Sequence, residues 1–165
     1  MKINLGKRYT SYMAILVNIL LKSEGDIVEL GTGIYSTPLL HWLCRDMNRR
    51  LISLESDPEY YNFARQYQSK LHRIKFVANW DEVDISSHMG VVFIDHMPSI
   101  RRGIDAIRFR NLADYIVLHD TEGTKYGYET MWSHFKYQYT WKEALGWVSV
   151  VSNFKDLSFL ELKPS

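Results

Sequence analysis

The sequence predicts an α/β fold in which helices cover both faces of a mostly parallel sheet. Short apolar segments that suit strands alternate with segments of helical spacing along most of the 165 residues. The segment 90–95 is an almost continuous apolar run, which is typical of a central strand buried on both faces. A turn containing Gly31 and Gly33 joins the first strand to a helix. In folds of this class ligands bind where such turns leave the carboxyl ends of the strands.

The composition is that of one soluble globular domain without a marked charge bias. Apolar residues make up 46%, charged residues 24%, and the formal net charge is +1. This balance gives no electrostatic argument for binding nucleic acid or an anionic membrane surface. The length suits a single domain over residues 1–165, in which residues 1–23 form an N-terminal arm and helix.

Cysteine content and hydropathy indicate the cellular compartment in which we expect the protein. Cys44 is the only cysteine, so an intramolecular disulfide cannot form, which fits a reducing compartment. The N-terminus lacks the pattern of a signal peptide, and the longest apolar run is too short to span a bilayer. We therefore expect a cytoplasmic protein without a membrane partner.

Local periodicity gives the expected order of the elements. The predicted strands are 27–30, 51–55, 74–78, 90–95, 114–118, 139–145 and 157–162. The predicted helices are 9–22, one that follows the glycine turn and ends within 45–50, then 60–71, 99–109 and 128–137. The segment 146–154 is interpreted as a partly extended link between the last two strands, and the arm 6–12 precedes the first helix.

The glycine turn gives the first indication of a ligand. Glycine accepts positive φ and lets a ligand approach the backbone closely. A dinucleotide-binding turn has a third glycine at position 36, where this chain has Ser36. Glu29 lies two residues before Gly31, and its charge would repel a pyrophosphate but suit an ammonium or sulfonium group. S-adenosylmethionine is a ligand of that kind.

Glu29, Gly31, Gly33 and Ser36 resemble motif I of the class I S-adenosylmethionine-dependent methyltransferases. The resemblance implies a three-layer, Rossmann-like, doubly wound sheet of about seven strands that is closed by an antiparallel C-terminal hairpin. It also implies methyl transfer from S-adenosylmethionine, and an N-terminal arm folded over the cofactor, for which a solvated helix start is the alternative. An ordinary strand-to-helix turn, in which the glycines serve geometry only, is the alternative that the motif alone leaves open.

A second element supports an adenosine-type ligand. Glu55 ends the second predicted strand and lies 22 residues beyond Gly33. This separation is close to the ~20 residues expected for a carboxylate that accepts hydrogen bonds from ribose hydroxyls. Ser56 follows directly, and we include it with Glu55 in the predicted cofactor site.

The loop after the third predicted strand is the candidate adenine contact. The resemblance assigns to this loop a polar contact with the adenine amino group and an apolar wall for the ring. Asn79 or Asp81 would supply the first, and Trp80 would supply the second because an indole stacks well on a purine. The alternative for Trp80 is a core anchor beneath the loop.

The fourth and fifth predicted strands deliver candidate catalytic residues to one edge of the sheet. Asp95 and His96 follow one strand, and His119 and Asp120 follow the next. Histidine has a pKa near 6.5, so one of the two histidines is our hypothesis for a general base. A structural histidine bonded to a backbone carbonyl is the alternative for each. Asp95 is assigned to the cofactor site as well as to catalysis.

The same acidic residues raise the question of a metal. Asp95, Asp120 and Glu122 could hold Mg²⁺, as in the catechol-type O-methyltransferases that these segments also resemble. That family has Asp-Asn after the fifth strand, whereas Asp120 is followed here by Thr121 and can instead cap a helix. We therefore assign no metal, with Asp95 and Asp120 as the ligands if one is bound.

The absence of two motifs restricts the classes of methyl acceptor that we expect. The segment after the fourth strand lacks the Asn/Asp-Pro-Pro-aromatic motif of DNA-base and protein-amide N-methyltransferases, and no Pro-Cys nucleophile is present. An oxygen or another heteroatom of a small molecule is the expected acceptor. One alternative is a non-catalytic S-adenosylmethionine-binding subunit or degraded relative, its acceptor pocket completed by a second copy of the chain or another protein. A nicotinamide dehydrogenase is the more distant alternative.

Overall fold

The computed structural model describes residues 7–161, in which seven strands form one sheet. The strands are β1 (Ile27–Leu30), β2 (Leu51–Glu55), β3 (His72–Phe76), β4 (Met89–Ile94), β5 (Ala113–His119), β6 (Tyr137–Trp141) and β7 (Val148–Ser152). Their order across the sheet is β3-β2-β1-β4-β5-β7-β6. The first five strands are parallel, whereas β7 runs antiparallel to β5 and to β6. The predicted fold class, with its antiparallel C-terminal hairpin, is confirmed.

The strand order reverses between β1 and β4, which creates a crevice at their carboxyl ends. Leu30 of β1 pairs with Ile94 of β4, so Gly31 and Asp95 leave the sheet side by side. The backbone N–H of Asp95 donates to the Leu30 carbonyl at 2.9 Å, which extends the pairing to the start of the crevice.

Four α-helices cover the sheet: α1 (Met13–Lys22), α2 (Ser36–Asp46), α3 (Pro58–Ala64) and α4 (Arg102–Phe109). Two apolar cores result, one on each face. Val91 and Phe93 of β4 belong to the core that contains the buried residues of α1, while Val92 and Ile94 belong to the core that contains Phe109 of α4. Because β4 is buried on both faces, its residues are apolar without alternation. Within residues 7–161, no helix has the length and apolar character needed to cross a membrane.

The C-terminal third differs from the prediction. The predicted helix at 128–137 is wrong, and so is the strand predicted at 157–162 over its described residues 157–161. The helical segments found there are the short 3₁₀ turns Trp132–His134 and Ser158–Leu160. The seventh strand lies instead in the segment interpreted as a link, because β7 fits between β5 and β6 and is buried along its whole length. The sixth strand begins at Tyr137, two residues earlier than predicted.

Smaller differences concern element boundaries. The helix expected at 60–71 ends at Ala64 and continues as a 3₁₀ turn, Arg65–Tyr67. The first α-helix begins at Met13 rather than at residue 9, and the 3₁₀ turn Lys7–Thr10 precedes it. Gly6, at the start of the predicted arm, lies outside the described residues.

Candidate functional site

A cavity of about 440 Å³ opens at the carboxyl ends of β1, β2, β4 and β5. Most of the residues predicted for the site line it: Gly31, Gly33, Ser36, Glu55, Asp95, His96, His119 and Asp120. The other predicted residues are Glu29, Ser56, Asn79 and Trp80, and they lie outside its lining. Tyr9 and Tyr12 of the N-terminal segment also line the cavity, where the resemblance had placed an arm over the cofactor.

Gly31 sets the closest approach between the glycine turn and the segment that follows β4. Its φ is +89°, a left-handed conformation that residues with a side chain rarely adopt. A Cβ atom at this position would lie 2.5 Å from the Cα of His96 and 2.6 Å from its backbone nitrogen. The turn therefore requires glycine both for its conformation and for its packing.

Glu55 lies in the cavity wall and joins the glycine turn to the start of α3. One carboxylate oxygen accepts from the backbone N–H of Thr32 at 2.7 Å and from its hydroxyl at 2.9 Å. The other accepts from the backbone N–H groups of Ser56 and Asp57, each at 2.7 Å. Donors from the glycine turn and from the start of α3 therefore hold both carboxylate oxygens in place.

Glu29 is fully buried beneath the turn rather than exposed to the cavity. Its carboxylate accepts hydrogen bonds from the hydroxyls of Ser53 and Thr37. Thr37 in turn accepts the backbone N–H of Gly33 at 3.0 Å. Burial raises the pKa of Glu29 to about 7, against the opposing effect of these hydrogen bonds. Glu29 is therefore connected to the glycine turn through Thr37, and the charge of its carboxyl group changes near neutral pH.

The residues predicted to contact adenine have other contacts. Trp80 is buried, its Nε1–H donates to the Met97 carbonyl at 2.8 Å, and its ring stacks on His96 at 4.3 Å between centroids. Asn79 is exposed and caps a short 3₁₀ turn by accepting the backbone N–H of Asp81. The Ser56 hydroxyl donates to the Met97 carbonyl at 3.4 Å. Trp80 is therefore buried beneath the loop and outside the cavity lining, and its contact with adenine stays a prediction.

His119 donates hydrogen bonds from both ring nitrogens. The Ser11 hydroxyl gives its only hydrogen to the Gly146 carbonyl at 2.7 Å, so it accepts from His119 Nε2 at 3.0 Å. Nδ1 lies 3.2 Å from Oδ2 of Asp95, and an ionised carboxylate only accepts. Burial opposes a charge here, but the Asp95 carboxylate outweighs it and raises the pKa of His119 above its ordinary value. Both hydrogen bonds and the raised pKa favour an imidazolium at His119, paired with Asp95.

His96 is held by a carboxylate from α4. Its Nε2 lies 2.8 Å from Oδ2 of Asp105, whose side chain is 1% exposed. Burial opposes the charge of Asp105, but the hydrogen bonds from His96, Arg101 and Arg108 hold its pKa below the ordinary value. Nε2–H donates to the ionised carboxylate, and Nδ1 of His96 is buried and has no hydrogen-bond partner among the described residues.

Arg102 joins the ends of β4 and β5 and was not predicted from the sequence. Its guanidinium donates to the carbonyls of His96 at 2.9 Å and His119 at 3.4 Å. It also pairs with Oδ1 of Asp95 at 2.8 Å, and the side chain is only 5% exposed. No sequence signal separates Arg102 from the other cationic residues of the chain, since its role depends on partners from two different strands.

The acidic cluster does not fit Mg²⁺. Asp95, His119 and Asp120 offer ligand atoms that lie within 4.8 Å of one another. However, the two oxygens of Asp95 already pair with Arg102 and His119, and both ring nitrogens of His119 already have hydrogen-bond partners. Glu122 accepts instead from the backbone N–H of Trp147 at 2.9 Å. Asp120 does not cap the next helical turn, whose N-cap is Gly123.

The sequence matches no protein-family model and no curated protein. Solved structures do match. The O-methyltransferase from Bacillus cereus in complex with SAH is 16% identical, with a TM-score of 0.62 over 90% of this chain and 82% of that chain. An RNA methyltransferase from Salinibacter ruber in complex with S-adenosyl-L-homocysteine is 18% identical, with a TM-score of 0.61 over 94% of this chain and 96% of that chain. The N-terminal domain of human METTL16 in complex with SAH is 13% identical, with a TM-score of 0.60 over 94% of this chain and 73% of that chain. The chain therefore has the fold of the class I S-adenosylmethionine-dependent methyltransferases.

Proposed function

We propose that the chain binds S-adenosylmethionine in the 440 Å³ cavity and transfers its methyl group to an oxygen or another heteroatom of a small molecule. One observation carries this proposal. The glycine turn, Glu55 and the acidic residues after β4 and β5 line one cavity at the switch point of the sheet. Similar structures contain SAH, the product of that reaction.

The cavity lining supports a positively charged cofactor. Four carboxylates line it, and two cationic side chains, Arg102 and His119, lie among them. The carboxylates are Glu55, Asp57, Asp95 and Asp120. The resulting negative balance attracts a sulfonium and an ammonium group. Tyrosine rings in the lining, among them Tyr12 and Tyr60, add faces that suit both a cation and a purine.

The same balance favours a small-molecule acceptor over RNA. A phosphodiester backbone that approached the cavity would meet the surplus of carboxylates, and Arg102 is already engaged by Asp95. RNA methyltransferases are among the similar structures, but likeness at this identity concerns the fold. An uncharged or cationic acceptor is the electrostatically favoured class.

Methyl transfer is an in-line displacement on a methyl already activated by the sulfonium, so positioning is the main task of the protein. Where the acceptor must lose a proton, His96 or His119 is the proposed base. His119 must first lose a ring proton and with it one of its two hydrogen bonds, whereas Nδ1 of His96 has no hydrogen-bond partner among the described residues but is fully buried. The proposed base is tested with His96→Gln and His119→Gln in a turnover assay. If both variants keep the wild-type rate and its pH profile, neither histidine is the base.

Calorimetry with S-adenosylmethionine and S-adenosylhomocysteine tests the cofactor. We expect both to bind, and we expect Glu55→Gln to weaken both at least tenfold because the carboxylate loses a charge-assisted contact with the ribose. Glu143→Gln, which removes an exposed carboxylate, is the matched control and should bind normally. Binding of NAD with no binding of either sulfur compound would refute the proposal.

A cofactor-binding subunit without catalysis is the second candidate function. The observation that favours it is that both candidate bases are held by bonds within the chain, His119 by Asp95 and Ser11, and His96 by Asp105. Loss of the labelled methyl group in the presence of a panel of hydroxyl, thiol and amine acceptors separates the two candidates. Tight cofactor binding without transfer to any acceptor, until a second protein is added, would favour the subunit.

A further inference from the structure

A chain of buried hydrogen bonds leads from the glycine turn to the opposite side of α2. Glu29 accepts from Ser53, and the Ser53 hydroxyl lies 2.8 Å from Nε2 of His72. Nδ1 of His72 lies 3.1 Å from Nδ1 of His41. All four side chains are buried, with His41 the most exposed at 8%. At the other end, Thr37 connects Glu29 to the backbone of Gly33.

The directions of these hydrogen bonds follow from the groups involved. Ser53 has one hydrogen and donates it to Glu29, so it accepts from Nε2–H of His72. A neutral His72 then has a lone pair on Nδ1, which accepts from Nδ1–H of His41. Every proton between His41 and Glu29 therefore points toward the carboxylate.

The far end of the chain borders a second cavity. His41 lines this cavity, which has a volume of about 480 Å³, together with the exposed side chains of Arg45 and Lys70. Water in that cavity can exchange a proton with His41. Glu29, which the first cavity does not contact, thus has a hydrogen-bonded connection to solvent through β2 and β3.

We propose that Glu29 makes the site prefer the positively charged cofactor over its neutral product, and that the chain from His41 supplies a proton to Glu29 when the bound cofactor loses its charge. This inference rests on the proposed function. S-adenosylmethionine carries one positive charge more than S-adenosylhomocysteine, and an ionised carboxylate beneath the turn stabilises the charged form. Once the methyl group has left, a neutral Glu29 matches the neutral product.

The proton movement balances. A proton from water binds His41 at its second ring nitrogen, and the Nδ1 proton of His41 passes to Nδ1 of His72. The Nε2 proton of His72 passes to Ser53, whose own proton passes to Glu29. One proton leaves solvent and neutralises the carboxylate, and both histidines end neutral in their other tautomer. When Glu29 carries this proton on the oxygen that faces Ser53, its other oxygen still accepts from Thr37, so Thr37 remains the link between Glu29 and the backbone of Gly33.

Several other charged or titratable groups act on this chain. On Glu29 itself they are Glu55 from β2, and Tyr12 and Cys44 from the two helices packed on that face. Arg45 acts on His41, and His41 acts on His72. Burial of Glu29 has the largest effect and raises its pKa to about 7, so both protonation states are populated at neutral pH.

Calorimetry at pH 6, 7 and 8 tests the inference, with each titration repeated in two buffers of different ionisation enthalpy. We expect S-adenosylmethionine binding at pH 7 to release protons and S-adenosylhomocysteine binding to release fewer. The ratio of the two affinities should shift toward S-adenosylmethionine by about sixfold from pH 6 to pH 8, for a difference of about one unit in the Glu29 pKa between the two complexes.

Variants locate the effect. Glu29→Gln should make the affinity ratio independent of pH, while Glu143→Gln, an exposed carboxylate, should behave as wild type. Thr37→Val removes the hydroxyl between Glu29 and the turn and should lose most of the pH dependence, whereas Thr37→Ser should keep it.

The outcomes distinguish a failure of the proposed function from a failure of the role inferred for Glu29. If neither sulfur compound binds the wild-type chain, the proposed function is wrong. If both bind and the wild-type ratio does not vary with pH, or if Glu29→Gln or Thr37→Val keeps the wild-type variation, the inference is wrong and the proposed function stands.

Discussion

Replacing Glu29 with glutamine should change how the stability of the fold depends on pH. Burial raises the pKa of this carboxyl group from an ordinary 4.5 to about 7. Between those two pH values the folded state holds a proton that the unfolded chain has lost. The contribution of Glu29 to the free energy of unfolding is therefore fully present below pH 4.5 and is lost as pH rises to about 7. Since one pKa unit corresponds to about 1.4 kcal/mol, the loss is about 3 kcal/mol.

His72 acts in the opposite direction. Burial, followed by the neighbouring His41, lowers the pKa of His72 from 6.5 to about 4. Between these values the unfolded chain binds a proton that the folded state excludes, so stability rises with pH from about 4 to 6.5. The gain is again about 3 kcal/mol. The two groups are joined through Ser53, and their effects nearly cancel in the wild-type chain between pH 4.5 and 6.5.

Urea unfolding followed by tryptophan fluorescence, at half-unit steps from pH 4.5 to 8, measures both effects. The difference in unfolding free energy between Glu29→Gln and wild type should change by about 3 kcal/mol in favour of the variant as pH rises from 4.5 to 7. For His72→Gln the difference should change by a similar amount in favour of wild type as pH rises from 4.5 to 6.5. Taking differences removes the contributions of groups that titrate alike in both proteins.

Two exposed positions serve as matched controls, and each should follow wild type throughout. They are Glu143→Gln for the carboxyl change and His134→Gln for the histidine change. The reasoning is refuted if the Glu29→Gln difference is constant within about 0.5 kcal/mol across the range, because a residue that titrates as in the unfolded chain contributes no slope. A slope of the opposite sign would show that the buried carboxylate is ionised in the folded protein.

Further predictions concern backbone space, a buried carboxylate and metal independence. Gly31→Ala should cost about 2 to 5 kcal/mol in urea unfolding, because positive φ and a clash with the His96 backbone combine, whereas Gly25→Ala, with positive φ but an ordinary contact of 3.5 Å, should cost about 1 to 2. Equal losses would contradict the role of the clash. Asp105→Asn should cost about 3 to 5 kcal/mol, since buried donors lose their ionised acceptor, and a loss under 1 kcal/mol would contradict that pairing. EDTA should leave S-adenosylmethionine affinity in calorimetry unchanged, because the Arg102 guanidinium already neutralises the acidic cluster, and Mg²⁺-dependent recovery of a lost affinity would contradict this.

The parts of the site that could be predicted depend on short-range constraints. The turn at Gly31 can be predicted from the sequence, because its positive φ and its close contact with neighbouring backbone admit few residues other than glycine. The position of Glu55 can be predicted because β1, α2 and β2 have typical lengths, and these lengths fix the number of residues between the glycine turn and the end of β2. For the same reason Asp95 and His119 were placed at the cavity, although their roles in catalysis stay predictions.

The parts that could not be predicted depend on partners far away in the chain. The hydrogen-bond partner of His119, Ser11, lies 108 residues away in the chain. Arg102 donates to carbonyls at the ends of two different strands. Trp80 shows the same limit, because no local sequence signal predicts that its ring stacks on His96.

The sequence by itself determined the alternating order of strands and helices, the parallel central sheet and the place of the glycine turn, because each follows from side-chain periodicity or backbone conformation within a few residues. Only the tertiary structure decided which segment forms β7, since Val148–Ser152 is identified as a strand by its burial between two neighbours rather than by alternation. It also decided that Glu29 lies beneath the turn with a histidine pair behind it. Such an arrangement depends on which side chains three adjacent strands bring together, and local pattern carries no record of that.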